Sequence, residues 1–224
     1  MNPRVLLGAG PVPGGGELRL YRRGDDFSIM TGGVELMTSR AAASEEALGR
    51  LACERIAGRP GTALLIGGLG MGFTLRAALA ALPADAAVTV AELVPSVVAW
   101  ARGPLAGLHA GALDDPRVAL LEEDVARTID RGGAAWDAIL LDVDNGPGGL
   151  SLESNERLYA PAGLRAARAA LRPGGILAIW SSHPDAAFTR RLRTEGFAVE
   201  EIPVRSAGRK GARHHLWFAA APIR

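Results

Sequence analysis

From Thr62 onward the chain alternates short, almost wholly apolar runs with stretches of helical character, and no other feature constrains its fold as strongly. The runs are Ala63–Ile66, Val88–Leu93, Val118–Leu121, Trp136–Leu141 and Ile176–Trp180. Such short apolar runs suit strands covered on both faces. Helical stretches separate them: from the Gly67–Gly72 turn to about Leu82, from Pro95, from about Val125, an Ala/Arg/Leu-rich stretch to about Leu171, and Pro184–Glu195. Strands alternating with helices specify a mostly parallel sheet with helices on both faces, a doubly wound, Rossmann-like α/β fold. Phe197–Val204 and His214–Ala220 read as a closing antiparallel pair joined by a basic loop carrying Arg209, Lys210 and Arg213.

Residues 1–58 follow another pattern. Met1–Gly16 is rich in Gly and Pro and is expected to be flexible. Glu17–Arg22 alternates polar with apolar residues, as a half-buried strand does. Phe27–Met30 and Val34–Met37 flank Thr31-Gly32-Gly33, a hairpin turn. Ser44 is expected to cap a helix running to about Ala57, with Glu45 and Glu46 in its first turn and Gly58 and Pro60 stopping it. The layout is thus a small β-rich N-terminal element with a helix over residues 1–58, and an α/β domain over residues 59–224.

Bulk properties exclude several function classes. With 48% hydrophobic residues a full core can form. Lys+Arg 25 against Asp+Glu 24 leaves +1, which argues against a nucleic-acid partner. The lone Cys53 excludes a disulfide framework and a four-thiolate zinc site. His214 and His215 are adjacent in a strand pattern and point to opposite faces, so no metal site is expected. No apolar stretch of about 18 residues predicts a membrane span. The N-terminus lacks the pattern of a signal peptide, and a cytoplasmic location is expected.

In a parallel sheet, ligands sit at the carboxyl ends of the strands. There Gly67, Gly68 and Gly70 let backbone approach a ligand closely. Glycines alone also serve packing, so the acidic residues that follow matter more. Glu92 ends the second strand of the alternating series, where a carboxylate can accept both hydroxyls of a ribose, and Leu93 follows it. Asp124, before Val125, can accept an adenine amino hydrogen; as a helix N-cap it would serve structure, and both roles are compatible. The combination favours an adenosyl group. A dinucleotide-binding domain is the competitor, but its turn usually reads G-x-G-x-x-G and cradles a pyrophosphate.

The sequence resembles the spermidine synthase-like family over most of its length, from Thr31-Gly32-Gly33-Val34 to about Trp217. The matching pieces are Leu65-Ile66-Gly67-Gly68, Val90-Ala91-Glu92-Leu93, Asp115-Pro116-Arg117-Val118, Trp136 to Asp142 and Leu171 to Ile176. The resemblance implies a class I methyltransferase-type fold behind a small N-terminal β-domain, and a homodimer through that domain. It places Glu92 at the ribose, Asp124 at the adenine and Asp142 at the reacting centre. Three departures stand out. Gly70 occupies the place of an Asp in the family's glycine turn, Ser44-Glu45-Glu46 replaces a Tyr-His-Glu stretch, and Asp142-Val143-Asp144-Asn145-Gly146 replaces an Asp-Ser-Ser-Asp-Pro loop. The missing turn Asp removes a like-charge penalty against the carboxylate of intact S-adenosylmethionine.

Asp142 and Asp144 are the candidate catalytic pair, as general base and cation anchor, Asp144 being equally readable as an Asx turn. Glu35, Glu46 and His183 are candidates for binding the substrate. The first reading is therefore methyl transfer from S-adenosylmethionine to a small-molecule acceptor. The alternatives are aminopropyl transfer to a polyamine from decarboxylated S-adenosylmethionine, and a non-catalytic adenosyl-binding protein.

Overall fold

The computed structural model describes residues 2–143, 146–147, 153–207 and 211–223. Four strands come first: β1 (Val5–Pro11), β2 (Glu17–Arg23), β3 (Asp26–Thr31) and β4 (Val34–Thr38). They form an antiparallel sheet in chain order. β1 corrects the expectation of a flexible start. Its glycines are where another element comes close: a Cβ on Gly8 would meet Trp100 Nε1 at 2.6 Å, and one on Gly10 would meet Ser96 Oγ at 2.4 Å. Glycine in a strand here marks close approach, and it seats the sheet on a later helix.

Then follow α1 (Ala43–Arg55), β5 (Ala63–Gly67), α2 (Phe73–Ala81), β6 (Ala87–Ala91), α3 (Pro95–Arg102), β7 (Val118–Leu121), α4 (Val125–Arg131) and β8 (Trp136–Leu141). The chain continues through α5 (Glu153–Tyr159), α6 (Pro161–Ala170), β9 (Leu171–Ser181), α7 (Ala186–Thr194), β10 (Ala198–Arg205) and β11 (Arg213–Ala220). The second sheet has the order β10-β11-β9-β8-β5-β6-β7. β5 to β9 run parallel, while β11 pairs antiparallel with β9 and β10. The alternation of apolar runs thus yields the doubly wound α/β fold that it predicts. The order reverses at β5, whose neighbours are β8 and β6, so a crevice opens above the end of β5.

Three local expectations need correction. Ser44 does not cap α1: Ala42 holds that position without a side-chain cap. Ser44 is instead buried, its Oγ accepting from Trp180 Nε1 at 3.0 Å and lying 2.8 Å from His214 Nδ1. The single helix expected before Leu171 is two, because Pro161 starts a new one at its first position. Arg172-Pro173-Gly174-Gly175 is the irregular first part of β9, with a register shift against β8. Buried Asp137 of β8 fixes that segment, accepting from Arg172 Nη1 at 2.6 Å, Arg59 Nη1 at 3.0 Å and the Ala63 N–H at 2.9 Å.

Candidate active site

The end of β5 runs into Gly67-Gly68-Leu69-Gly70, and this turn closes on the end of β8. The Asp142 N–H donates to the Gly67 carbonyl at 2.9 Å. Gly68 has φ +87°, and a Cβ there would lie 2.3 Å from the Asp142 carbonyl oxygen. Only glycine meets both demands. Glu92, just past β6, ties the turn from the other side. Its Oε2 accepts from the Leu69 N–H and its Oε1 from the Val94 N–H, each at 2.8 Å. Burial holds its carboxyl above the usual range, and these main-chain N–H groups pull it partly back. Asp124 caps α4, Oδ1 accepting from the Ala126 N–H at 2.8 Å, while Oδ2 pairs with Arg157 at 2.5 Å.

A cleft of about 630 Å³ opens over these residues, a size typical of small-molecule sites. Gly68, Gly70, Glu92, Leu93, Asp124, Val125 and Asp142 all line it, as does Glu35 from β4. Gly67 is buried behind the lining, where a Cβ would strike Val125 at 2.8 Å. The donor set suits an adenosyl group: two side-chain-free glycines, acidic groups at the ends of β6 and β7, and the apolar Leu93 and Val125. Glu46 stands off the cleft and pairs with Arg76 of α2. His183 does likewise, its Nδ1 lying 2.7 Å from Ser182 Oγ. Asp144, Arg209 and Lys210 lie outside the described residues. His214 and His215 do face apart: His214 approaches Ser44, and His215 Nδ1 sits 2.9 Å from Glu201.

Residues not singled out from the sequence complete the wall. Glu45 rather than its neighbour Glu46 enters the cleft, joined by Met37, Trp180 and His214. Glu45 shares a helix face with the buried Leu48, Gly49, Ala52 and Cys53, a three-four spacing visible in the sequence. Glu46 falls in line with the exposed Arg50 and Glu54 instead. Burial first, then the negative charge of Asp142, raises the Glu45 carboxyl well above the usual range. Asp142 Oδ2 accepts from Thr74 Oγ1 at 2.6 Å. Burial and the nearby His183 and His215 lower His214, which favours its neutral form. Met37 Sδ lies 3.1 Å from where a Gly70 Cβ would stand, so a thioether covers that side of the turn. Among the described lining residues there are five carboxylates, Glu35, Glu45, Glu92, Asp124 and Asp142, and no Arg or Lys.

Fold and cleft define a class: a class I S-adenosylmethionine-type α/β fold carrying a small antiparallel N-terminal sheet. Comparison with known proteins then narrows it. No protein-family model matches the chain. Polyamine aminopropyltransferase 2 of Pseudomonas aeruginosa is 36% identical over 146 residues, 60% of this chain and 39% of that protein. The polyamine aminopropyltransferase of Mycobacterium tuberculosis is 31% identical over 194 residues, 82% of this chain and 35% of that protein. The chain thus spans well under half the length of these relatives. Spermidine synthase from Thermotoga maritima superposes with a TM-score of 0.77 at 18% identity, covering 98% of this chain and 74% of that one. A spermidine synthase in complex with the transition-state analogue AdoDATO gives 0.76 at 18% identity, with 98% and 73% covered. The chain is thus similar in sequence to polyamine aminopropyltransferases and in fold to spermidine synthases.

Proposed function

We propose that this chain transfers an aminopropyl group from decarboxylated S-adenosylmethionine to an amine acceptor of the polyamine class. The observation that carries this reading is the acidic cleft wall: of its five carboxylates Asp124 is paired with Arg157 from outside the lining, and no Arg or Lys stands among the described lining residues. Such a wall attracts cationic ligands and repels a free carboxylate. The relatives named above weigh the same way, so aminopropyl transfer displaces methyl transfer as the leading reading.

Glu92 would hold the ribose and Asp124 the adenine, with Gly68 and Gly70 leaving room beneath and Leu93 and Val125 packing alongside. The donor, when bound, supplies a sulfonium with an activated C–S bond. Asp142 takes a proton from the acceptor ammonium, freeing the nitrogen lone pair. That nitrogen forms the new C–N bond as the C–S bond breaks with its pair going to sulfur, leaving neutral methylthioadenosine. Thr74 fixes Asp142 for this task through the hydroxyl bond to Oδ2. Assembly as a homodimer through the N-terminal sheet belongs to the same proposal, and the exposed Val5, Leu6 and Val34 of that sheet favour it.

One observation favours a second reading, methyl transfer from intact S-adenosylmethionine: Gly70 stands where the family has an Asp. Calorimetric titration with each donor separates the two. We expect tighter binding of the decarboxylated donor, and release of methylthioadenosine when putrescine is added. Tighter binding of the intact donor with methyl transfer would overturn the aminopropyl reading, and binding of neither would overturn the adenosyl assignment.

A further inference from the structure

Two carboxylates in one cleft repel each other unless a proton or a cation lies between them. Glu45 and Asp142 are in that position, brought together from α1 and the end of β8. Thr74 of α2 joins the two segments, its Oγ1 lying 2.6 Å from Asp142 Oδ2 and 3.2 Å from the Glu45 carbonyl oxygen. The first turn of α1 is also held by Ser44, which is fully buried between Trp180 and His214. Glu45 is therefore fixed over the reacting end of the cleft. Arg76 neutralises Glu46 next door, but among the described residues no Arg, Lys or His forms an ion pair with Glu45.

We propose that Glu45 is a specificity-determining residue that, together with Asp142, holds an ammonium group of the acceptor, an inference that rests on the aminopropyl-transfer reading. The positive charge meets both carboxylates at once and offsets the repulsion between them. The raised carboxyl of Glu45 agrees, since burial and then the charge of Asp142 disfavour a second bare negative charge there. Trp180 supplies an apolar wall beside the pair, held in orientation by its Nε1 bond to Ser44, and suits the methylenes of an aliphatic amine. Gly70 offers no charge at the glycine turn, so on this account the cation-holding capacity of the cleft comes from α1.

The test uses the full chain as wild type, Glu45→Gln and Glu45→Asp. Putrescine is titrated while methylthioadenosine, an uncharged nucleoside, fills the adenosyl half of the cleft. We expect Glu45→Gln to weaken putrescine binding about tenfold or more, the scale of a lost charged hydrogen bond. Glu45→Asp should recover part of the loss, and methylthioadenosine affinity should stay within about twofold in all three proteins. Putrescine binding unchanged in Glu45→Gln, absent from the wild type, or weakened in parallel with methylthioadenosine would overturn the proposal. Turnover is read separately. No release of methylthioadenosine from the decarboxylated donor, with Glu45-dependent putrescine binding intact, would sink the transfer reading and leave the ammonium anchor standing.

Discussion

Gly68 and Glu45 are opposite cases at the scale of single residues. Gly68 is legible in the sequence because its reason is local: a strand must turn sharply into a ligand-facing loop, and the residue adopts a positive φ. Gly68→Ala adds left-handed strain and drives a Cβ into the Asp142 carbonyl. We expect a loss of about 2 kcal/mol or more in urea unfolding, with adenosyl binding weakened in the same protein. A variant with unchanged stability would mean that the turn relaxes freely. Glu45 is legible only in part. The spacing puts it on the buried face of α1, but a carboxylate on an apolar face gives no hint of which cavity receives it. Asp142 is easier to place, since a carboxylate ending a parallel strand lies at the ligand-binding edge of the sheet whatever surrounds it.

Elements were read well where burial imposes a period and less well where contacts override composition. The parallel strands match their apolar runs closely, as the edge strand β7 and the buried β8 do. β1 was missed because Gly and Pro normally signal a loop, whereas here its glycines accommodate Trp100 and Ser96. The start of β9 was missed for a related reason: a Pro-Gly-Gly segment forms strand because Asp137 binds Arg172 and Arg59 behind it. That buried carboxylate joins β8, β9 and the segment entering β5. Asp137→Asn should lower stability by about 2–3 kcal/mol in chemical denaturation, since bonds to charged groups are the stronger ones. Little change would show that the β8–β9 ladder alone holds the irregular segment.

Acidic residues in the cleft also set how the whole molecule responds to pH. Burial raises Glu92, and burial with Asp142 raises Glu45, so the folded protein binds these protons more tightly than the unfolded chain does. Their contribution to stability is fully present below the ordinary glutamate value of 4.5 and is lost as pH rises through the raised values. Glu45→Gln keeps the shape and removes one of the two. We expect its Tm to exceed that of the wild type by about 2–4 °C at pH 8, the response of a chain this size to about 1 kcal/mol, and the difference to vanish near pH 4. An equal gain at both pH values would assign the effect to packing. A stabler but weaker-binding variant is what a functional carboxylate kept at a cost in stability should give. No helix among the described residues is long and apolar enough to cross a membrane.

By itself the sequence determined the parallel sheet, the glycine turn after β5 and the acidic residues following β6, β7 and β8. Hydrophobic period and turn chemistry act over a few residues, and each of these groups sits at a strand end whatever the rest of the chain does. Only the tertiary structure decided what faces them. Glu35 on β4, Glu45 on α1, Trp180 on β9 and His214 on β11 are far apart in the chain and meet at one cleft. Their convergence depends on contacts such as Ser44 with His214 and Thr74 with Asp142. Such contacts carry no local periodicity, so the glycine turn and the carboxylates at the strand ends could be read along the chain, while the wall facing them took shape only when the layers packed together.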